Sequence, residues 1–383
     1  MVDLVIYSWT LPTGGLLNVI LEEFTYFKER GYDVRVLFYH ADPLSFQEDT
    51  FRKLDPIVIT QSFRSLNPLK IFAERTSTYA FKIPIYTFFK IPKILLRDRP
   101  LVIAHEVGSG LTTFLYSLLN PRKVMIVLHD NPFSFLNKSR SNLGIFLVRL
   151  LRFSLQFFRG LVATTSLIST SIENYGIKNA VSVAEYGVNI CEKVESVTER
   201  KSILALAKWT RNRRPEEYVK IIQKLQMTSK LILAGHWDDN LYLKEVQRMI
   251  TESKSNAARI RIEMDLNEEE VHKLYHESRV FLRLGFSEEG TGQGILDAIG
   301  HGCVLIIGKE LGGMSGILDG VHGFLVDSND ANDIADKIER VLGSDELSLS
   351  ISDRVKKLGS LHSWDDYGRI LERSLVGGLR DKS

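Results

Sequence analysis

Cysteine is nearly absent from this 383-residue chain, which holds only Cys191 and Cys303. Two cysteines far apart build no disulfide framework and show no metal-ligand spacing, so the expectation is a reducing, cytoplasmic setting and no metal site. Also missing is an apolar run able to span a bilayer. The most apolar stretch, LGIFLVRLLRFSLQFFRGLV (Leu143 to Val162), is interrupted by Arg149, Arg152 and Arg159. The opening MVDLVIYSWT lacks a basic leader region and reads as a strand, so no secretory signal is expected. With 44% hydrophobic and 25% charged residues and no low-complexity tract, the composition is that of a soluble globular protein of two ordinary domains.

Net charge is small, but its distribution is uneven. Residues 61–160 carry 15 Lys/Arg against 4 Asp/Glu, a local +11, leaving −9 for the rest of a chain whose total is +2. A basic, aromatic-rich stretch of this kind suits anionic lipid headgroups or another polyanion, the alternative being a solvated basic face.

The pattern along the chain is that of alternating strands and helices. Leu4 to Tyr7 predicts a strand, followed by a glycine loop. A helix with apolar residues at Ile20, Phe24 and Phe27 comes next, then Gly31 as its stop and a strand at Val34 to Phe38. A strand–helix–strand unit implies a parallel sheet. Further strands are expected at LVIAH, VMIVLHD, LVATT and VSVAEYG. A second set follows Lys201: SILALAK, KLILAGH, IRIEM, VFLRL, VLIIG and GFLV. Runs that are apolar throughout, such as VLIIG, fit strands covered on both faces. The expected fold is two Rossmann-like, doubly wound α/β domains. Ligands of such sheets sit beyond the carboxyl ends of the strands, and a cleft between two domains is the default place for a site.

Several ligand-binding signatures are missing at those ends. The first loop, Pro12-Thr13-Gly14-Gly15-Leu16-Leu17, is not G-x-G-x-x-G, and GTGQG (Gly290 to Gly294) lacks that spacing too, which disfavours a nicotinamide dehydrogenase. No G-x-x-x-x-G-K-[ST] occurs, which excludes a P-loop NTPase. What the ends do carry is Gly14 and Gly15, His129 and Asp130, and Lys208 with Arg211, Arg213 and Arg214. The last is SEEGTGQGILDAIGHG (Ser287 to Gly302), with five glycines in sixteen residues. Glycine loops opening helices, together with guanidinium and ammonium groups, suit a phosphorylated ligand.

In combination these segments resemble retaining glycosyltransferases of the two-domain GT-B architecture, in particular glycosyltransferase family 4. SEEGTGQGILDAIGHGCVLI is similar to the family's donor-site signature of two acids eight positions apart around a glycine loop. TGGLLNVILEEFTYFKERGYDVRVL is similar to its first loop and helix, AEYGVNI to its interdomain turn, ILALAKWTRNRRPEEYVKII to its phosphate segment, and HSWDDYGRILERSL to its C-terminal helix. The resemblance implies an acceptor-binding domain over residues 1–190, a nucleotide-sugar domain over 191–360, and a C-terminal helix within 361–383 crossing back to the first.

The resemblance also implies roles for single residues. Glu289 matches the acid that contacts the donor sugar. Asp297 matches the acid that holds the ribose hydroxyls, one methylene shorter than the family's glutamate. The backbone of Thr291, Gly292, Gln293 and Gly294 would meet phosphate or sugar, since glycine permits close approach. Lys208 and Arg213 match the cationic pair that stabilises the leaving diphosphate, with Arg211 close by. His129, followed by Asp130, matches the histidine that faces the donor sugar, and Gly15, beside Gly14, the glycine that approaches the phosphates.

The activity implied is that of a retaining hexosyltransferase using a UDP- or GDP-sugar, with no cofactor or metal. The acceptor hydroxyl would belong to a glycan or a lipid-linked molecule. Nucleic acid is not an expected partner, and peripheral attachment to the inner face of the cell membrane is. A sugar-nucleotide epimerase, a phosphorolytic enzyme and a catalytically silent nucleotide-binding subunit share the fold and remain alternatives. Departures at Ala207, Lys208 and Asp297 motivate the last.

Overall fold

The computed structural model describes residues 2–10, 15–40, 53–60, 87–131, 133, 149, 151–177, 181–192, 195–237, 239–286, 292–311 and 316–376. The chain divides into two compact units. The first comprises Met1–Tyr186 with Trp364–Ser383, and the second is Gly187–Ser363.

Unit 1 runs β1 (Asp3–Thr10), α1 (Gly15–Glu29), β2 (Asp33–His40), β3 (Ile57–Thr60), α2 (Thr87–Asp98), β4 (Leu101–His105), α3 (Glu106–Leu119), β5 (Val124–Leu128), β6 (Gly160–Ala163), α4 (Ser166–Asn174) and β7 (Val181–Val183). Its strands form a parallel sheet in the order β3-β2-β1-β4-β5-β6-β7. The reversal of order on either side of β1 makes the sheet doubly wound. Side-chain alternation along β1 sorts the core into two layers. Leu4 and Ile6 pack with Ile20 and Phe27 of α1, whereas Val5, Tyr7 and Trp9 pack with Ile91 and Leu95 of α2.

Unit 2 runs β8 (Ser202–Leu206), α5 (Pro215–Lys224), β9 (Lys230–Ala234), α6 (Asn240–Glu252), β10 (Ile260–Glu263), α7 (Glu268–Glu277), β11 (Ser278–Arg283), α8 (Gln293–Gly300), β12 (Val304–Gly308), β13 (Gly323–Val326), α9 (Ala331–Leu342) and α10 (Asp345–Ser360). Its parallel sheet has the order β10-β9-β8-β11-β12-β13. Local chemistry sets the helix starts. Asn267 and Glu270 form a reciprocal capping box at the head of α7, and Asp239 accepts from the first-turn N–H groups of Leu241 and Tyr242 in α6. Gly235, at φ +122°, is required where β9 ends, because a Cβ there would lie 2.0 Å from the Ala207 carbonyl oxygen.

The chain then returns to unit 1 as α11 (Trp364–Val376). Its residues Tyr367, Leu371 and Leu375 recur every four positions and are buried against the α1 side of the sheet. Polar groups fix the register: the Tyr32 hydroxyl donates to Glu372 (2.8 Å) and Arg30 pairs with Asp365 (2.6 Å). The contact is close at Gly368, where a Cβ would fall 2.3 Å from the Tyr26 ring. A Gly368→Val substitution overfills that contact and is expected to lower stability by about 1–3 kcal/mol. Thermal melting checks this, and an unchanged midpoint would refute the packing.

Several expected strands end earlier than the quoted runs, among them the two that follow. The strand in VMIVLHD stops at Leu128 because the His129 N–H turns to the Glu106 carboxyl (3.3 Å). The strand in LVATT stops at Ala163, because Thr165 caps α4 by accepting from Ile168 N–H. Among the described residues, no helix is long and apolar enough to cross a membrane.

Candidate functional site

Parallel strands deliver their following loops to one edge of each sheet, and those residues singled out from the sequence that the structure describes follow strand ends there. In unit 1, Gly15 is the first residue of α1, after β1, while Gly14 lies outside the described residues. His129 and Asp130 follow β5, His129 partly exposed and Asp130 exposed.

His129 belongs to a chain of buried polar groups. Its Nε2 lies 2.8 Å from His105 Nδ1, and His105 Nε2 lies 2.9 Å from Glu23 Oε2. The other oxygen of Glu23 accepts from the Tyr367 hydroxyl at 2.6 Å. On the other side, His129 Nδ1 bonds the Tyr186 hydroxyl. One proton arrangement satisfies every link. Tyr186 O–H donates to His129 Nδ1, His129 Nε2–H to His105 Nδ1, and His105 Nε2–H to the Glu23 carboxylate. Glu23 and His105 are essentially inaccessible to solvent.

Burial, reinforced by His105, holds the His129 imidazole well below its ordinary range and therefore neutral. Burial also pushes the Tyr186 and Tyr367 hydroxyls well up, so both stay donors. The Glu106 carboxyl is raised by burial and then by the nearby Asp130 charge. Glu106 itself sits at φ +67°. The result is a neutral imidazole of fixed tautomer, with both ring nitrogens engaged by protein.

In unit 2, β8 ends at Leu206 and is followed by buried Ala207, half-buried Lys208 and fully buried Trp209. The Trp209 indole N–H donates to Ala234 O (2.9 Å), which anchors the loop. Arg211 and Arg213 form a short 3-10 turn, and Arg214 follows at φ +44° just before α5. Arg213 is half-buried. The Arg211 guanidinium is held bidentately by Glu245 (2.8 and 3.0 Å) and lies over the Tyr242 ring. It would have to leave that carboxylate to meet an anion.

Glu289 and Thr291 lie outside the described residues, which resume at Gly292. Gly292 is the exposed N-cap of α8, and a Cβ on it would meet nothing among the described residues. The Gly294 carbonyl accepts from the Tyr275 hydroxyl (3.0 Å). A Cβ on Gly294 would lie 3.5 Å from Leu206 O, so the head of α8 stands beside the strand end from which Lys208 departs. Asp297, one turn into α8, accepts from the Gln293 side-chain amide at 3.1 Å. Burial pushes its carboxyl up to about 6. The Gln293 carbonyl oxygen is buried and has no hydrogen-bond partner among the described residues. A helix N-terminus with an acid and an amide oxygen beside a loop that carries cations can hold both the phosphates and the hydroxyls of a nucleotide.

Glu23 was not singled out from the sequence. Its signal is an acid within the apolar stripe of α1, between Ile20 and Phe27. Cys191, His276 and His301 also converge in unit 2, although their spacing in the sequence gave no indication of a cluster.

Comparison with known proteins agrees with this architecture. Residues 13–191 match the family model Glycosyltransferase Family 4, and residues 189–358 match Glycosyl transferases group 1. No curated protein matches the chain in sequence. Among solved structures, Anabaena Alr3699/HepE in complex with UDP superposes with a TM-score of 0.77 at 14% identity, over 98% of this chain and 100% of that one. Sucrose-phosphate synthase from Thermosynechococcus elongatus gives 0.78 at 13% identity, over 100% of both chains. The lipopolysaccharide outer core galactosyltransferase WaaB in its apo form gives 0.69 at 13% identity, over 98% of this chain and 99% of that one. With two doubly wound parallel sheets and matches that together run from residue 13 to residue 358, the chain has the GT-B fold and belongs to the glycosyl transferases of group 1 and family 4.

Proposed function

We propose that the protein transfers a hexose from a nucleoside diphosphate sugar to an acceptor hydroxyl, with retention of anomeric configuration and without a catalytic metal. The observation that carries this reading is the head of α8 standing at Gly294 beside the end of β8, the strand from which the loop of Lys208 and Arg213 departs. Asp297 accepts from the ribose hydroxyls, and the N–H groups at the head of α8 face the phosphate and sugar. Lys208 and Arg213 stabilise the diphosphate. Glu289 serves the sugar hydroxyls. His129 and Asp130 serve the sugar from unit 1, Gly14 and Gly15 the phosphates.

In the reaction the bond from the anomeric carbon to the diphosphate oxygen breaks. A bond to the acceptor oxygen forms on the same face, and the acceptor proton passes to the leaving phosphate. Negative charge grows on the diphosphate, so fixed cations and backbone N–H groups lower the barrier. UDP is the favoured nucleotide, because Alr3699/HepE was solved with UDP, with UDP and glucose, and with UDP-glucose.

Binding tests the donor assignment. A UDP-sugar at a large excess over its dissociation constant should raise the melting temperature by mass action. Asp297→Ala should weaken that donor roughly 10- to 100-fold, the worth of a hydrogen bond to a charged group. Asp297→Glu should retain or tighten it. An unaltered affinity in the alanine variant would remove Asp297 from the site.

The acceptor is proposed to lie at a membrane surface. The outward face of α2 presents Phe89, at 65% exposure, among the exposed Lys90, Lys93 and Arg97. Such a face binds anionic headgroups by charge and by shallow apolar insertion. The protein should float with anionic vesicles at low salt and remain behind at high salt. Absence of flotation at low salt would refute membrane contact.

A further inference from the structure

At the C-terminal end of α8, one turn past Asp297, unit 2 gathers one thiol and three imidazoles. Cys191 lies near the start of the unit, His272 and His276 are one turn apart on α7, and His301 caps the end of α8. The ligand atoms of Cys191, His276 and His301 all lie within 4.8 Å of one another. Cys191 Sγ is 3.8 Å from His276 Nε2.

The orientation of His301 is fixed by its second nitrogen. Nδ1 lies 2.7 Å from the Asp297 carbonyl oxygen, which can only accept, so Nδ1 carries the proton and Nε2 the lone pair. A ring N–H donated to a backbone carbonyl is the usual support of a metal-ligating histidine. That Nε2 is also 2.9 Å from His272 Nδ1, close enough for His272 to share an ion with it.

The backbone holds these elements in place without an ion. Cys191 N–H donates to Gly300 O at 3.0 Å, immediately before His301. A Cβ on Gly300 would lie 2.2 Å from Asn189 O, so the segment entering the unit is pressed onto the end of α8. Around a tetrahedral zinc ion, with bonds of about 2.0–2.3 Å, ligand atoms stand roughly 3.3–3.7 Å apart. His301 is buried and held by its Nδ1 bond, so rotation of the half-buried Cys191 and His276 and of the exposed His272 closes the remaining difference.

We propose that Cys191, His276 and His301, with His272 as fourth ligand, bind one divalent cation of the zinc class. A thiolate with imidazoles selects that class over magnesium or calcium, which prefer oxygen. The bound ion staples the segment entering unit 2 to α7 and α8. It plays no part in the transfer step, and its test uses neither donor nor acceptor, so its failure is separate from failure of the transferase reading.

The experiment is titration of the chelator-treated, reduced full chain with Co²⁺, followed by optical absorption. One cobalt per chain should bind, giving tetrahedral ligand-field bands and a thiolate-to-cobalt charge-transfer band, and added Zn²⁺ should abolish both. Cys191→Ser should lose the charge-transfer band with an unchanged circular dichroism spectrum, whereas Cys303→Ser should keep it. His276→Ala should weaken zinc binding roughly 10-fold or more, since even the outer partners of metal ligands are worth that much. Zinc should raise the melting temperature of the wild type and not of Cys191→Ser. Failure of the wild type to bind cobalt stoichiometrically would overturn the proposal. So would a charge-transfer band that survives in Cys191→Ser.

Discussion

Turnover should fall by roughly four orders of magnitude or more when Lys208 and Arg213 are both replaced by alanine, while the protein stays folded. Each removes one fixed positive charge from the oxygen that becomes the leaving group, and loss of a single such donor in an acyl-transfer site costs about 10²–10³ in rate. Neither side chain belongs to a hydrophobic core cluster, since Lys208 and Arg213 are half-buried in the loop after β8. The fold should therefore survive, with Trp209 still anchored to Ala234 O. The separation of effects is the informative part. Donor affinity should fall modestly and the rate severely, because charge develops on the diphosphate only as the bond breaks. Near-normal transfer by the double variant would show that the diphosphate is stabilised elsewhere. Arg211→Ala should do much less, since that guanidinium is already committed to Glu245.

The second large effect is on stability, at Glu23. Removing its carboxyl in Glu23→Ala leaves the His105 Nε2–H and the Tyr367 hydroxyl as buried donors without acceptors. At about 1–3 kcal/mol for each unpaired group, the expected loss is roughly 2–6 kcal/mol. Tyr367→Phe removes one donor and leaves the histidine link, so it should cost less. Glu23→Gln keeps the volume but presents an N–H group to a donor, and should fall between. Because His105 in turn orients His129, Glu23→Ala should also lower the transfer rate per folded molecule at saturating donor, which a purely structural lesion would leave unchanged. Melting curves and rates of the three variants check the order. A Glu23→Ala protein that melts with the wild type would contradict the linked arrangement.

These two predictions differ in how visible their residues are in the sequence. Lys208 and Arg213 drew notice because SILALAK is an apolar run that ends on a cation, and the structure puts both in the loop after β8, while their phosphate role comes from the family resemblance and stands as a proposal. The start of α8 was legible for a similar reason: glycines after an apolar strand open a helix there, with Asp297 one turn in. The parallel sheets were legible from continuous apolar runs such as those of β4, β5 and β12, which are fully buried.

Glu23 was hidden by the opposite logic. One acid in the stripe of Ile20 and Phe27 looks like an interruption, and only the arrival of His105 from β4 and Tyr367 from α11 turns it into a junction. Likewise β3 was not anticipated: its apolar run, Ile57-Val58-Ile59, is only three residues long and lies at the sheet edge, with Ile57 51% exposed. The engagement of Arg211 by Glu245 depends on the packing of α6 against α5, which local sequence does not encode. The convergence of Cys191, His276 and His301 needs three separate elements to meet.

The central claim is sugar transfer, and the most direct test follows both products of one reaction. A UDP-hexose labelled at the anomeric carbon, incubated with glycan and lipid-linked acceptors, is examined by nuclear magnetic resonance. The account predicts UDP released in step with a new glycosidic bond that keeps the donor's anomeric configuration. A donor that binds yet is turned over with no acceptor, or a product of inverted configuration, would contradict it.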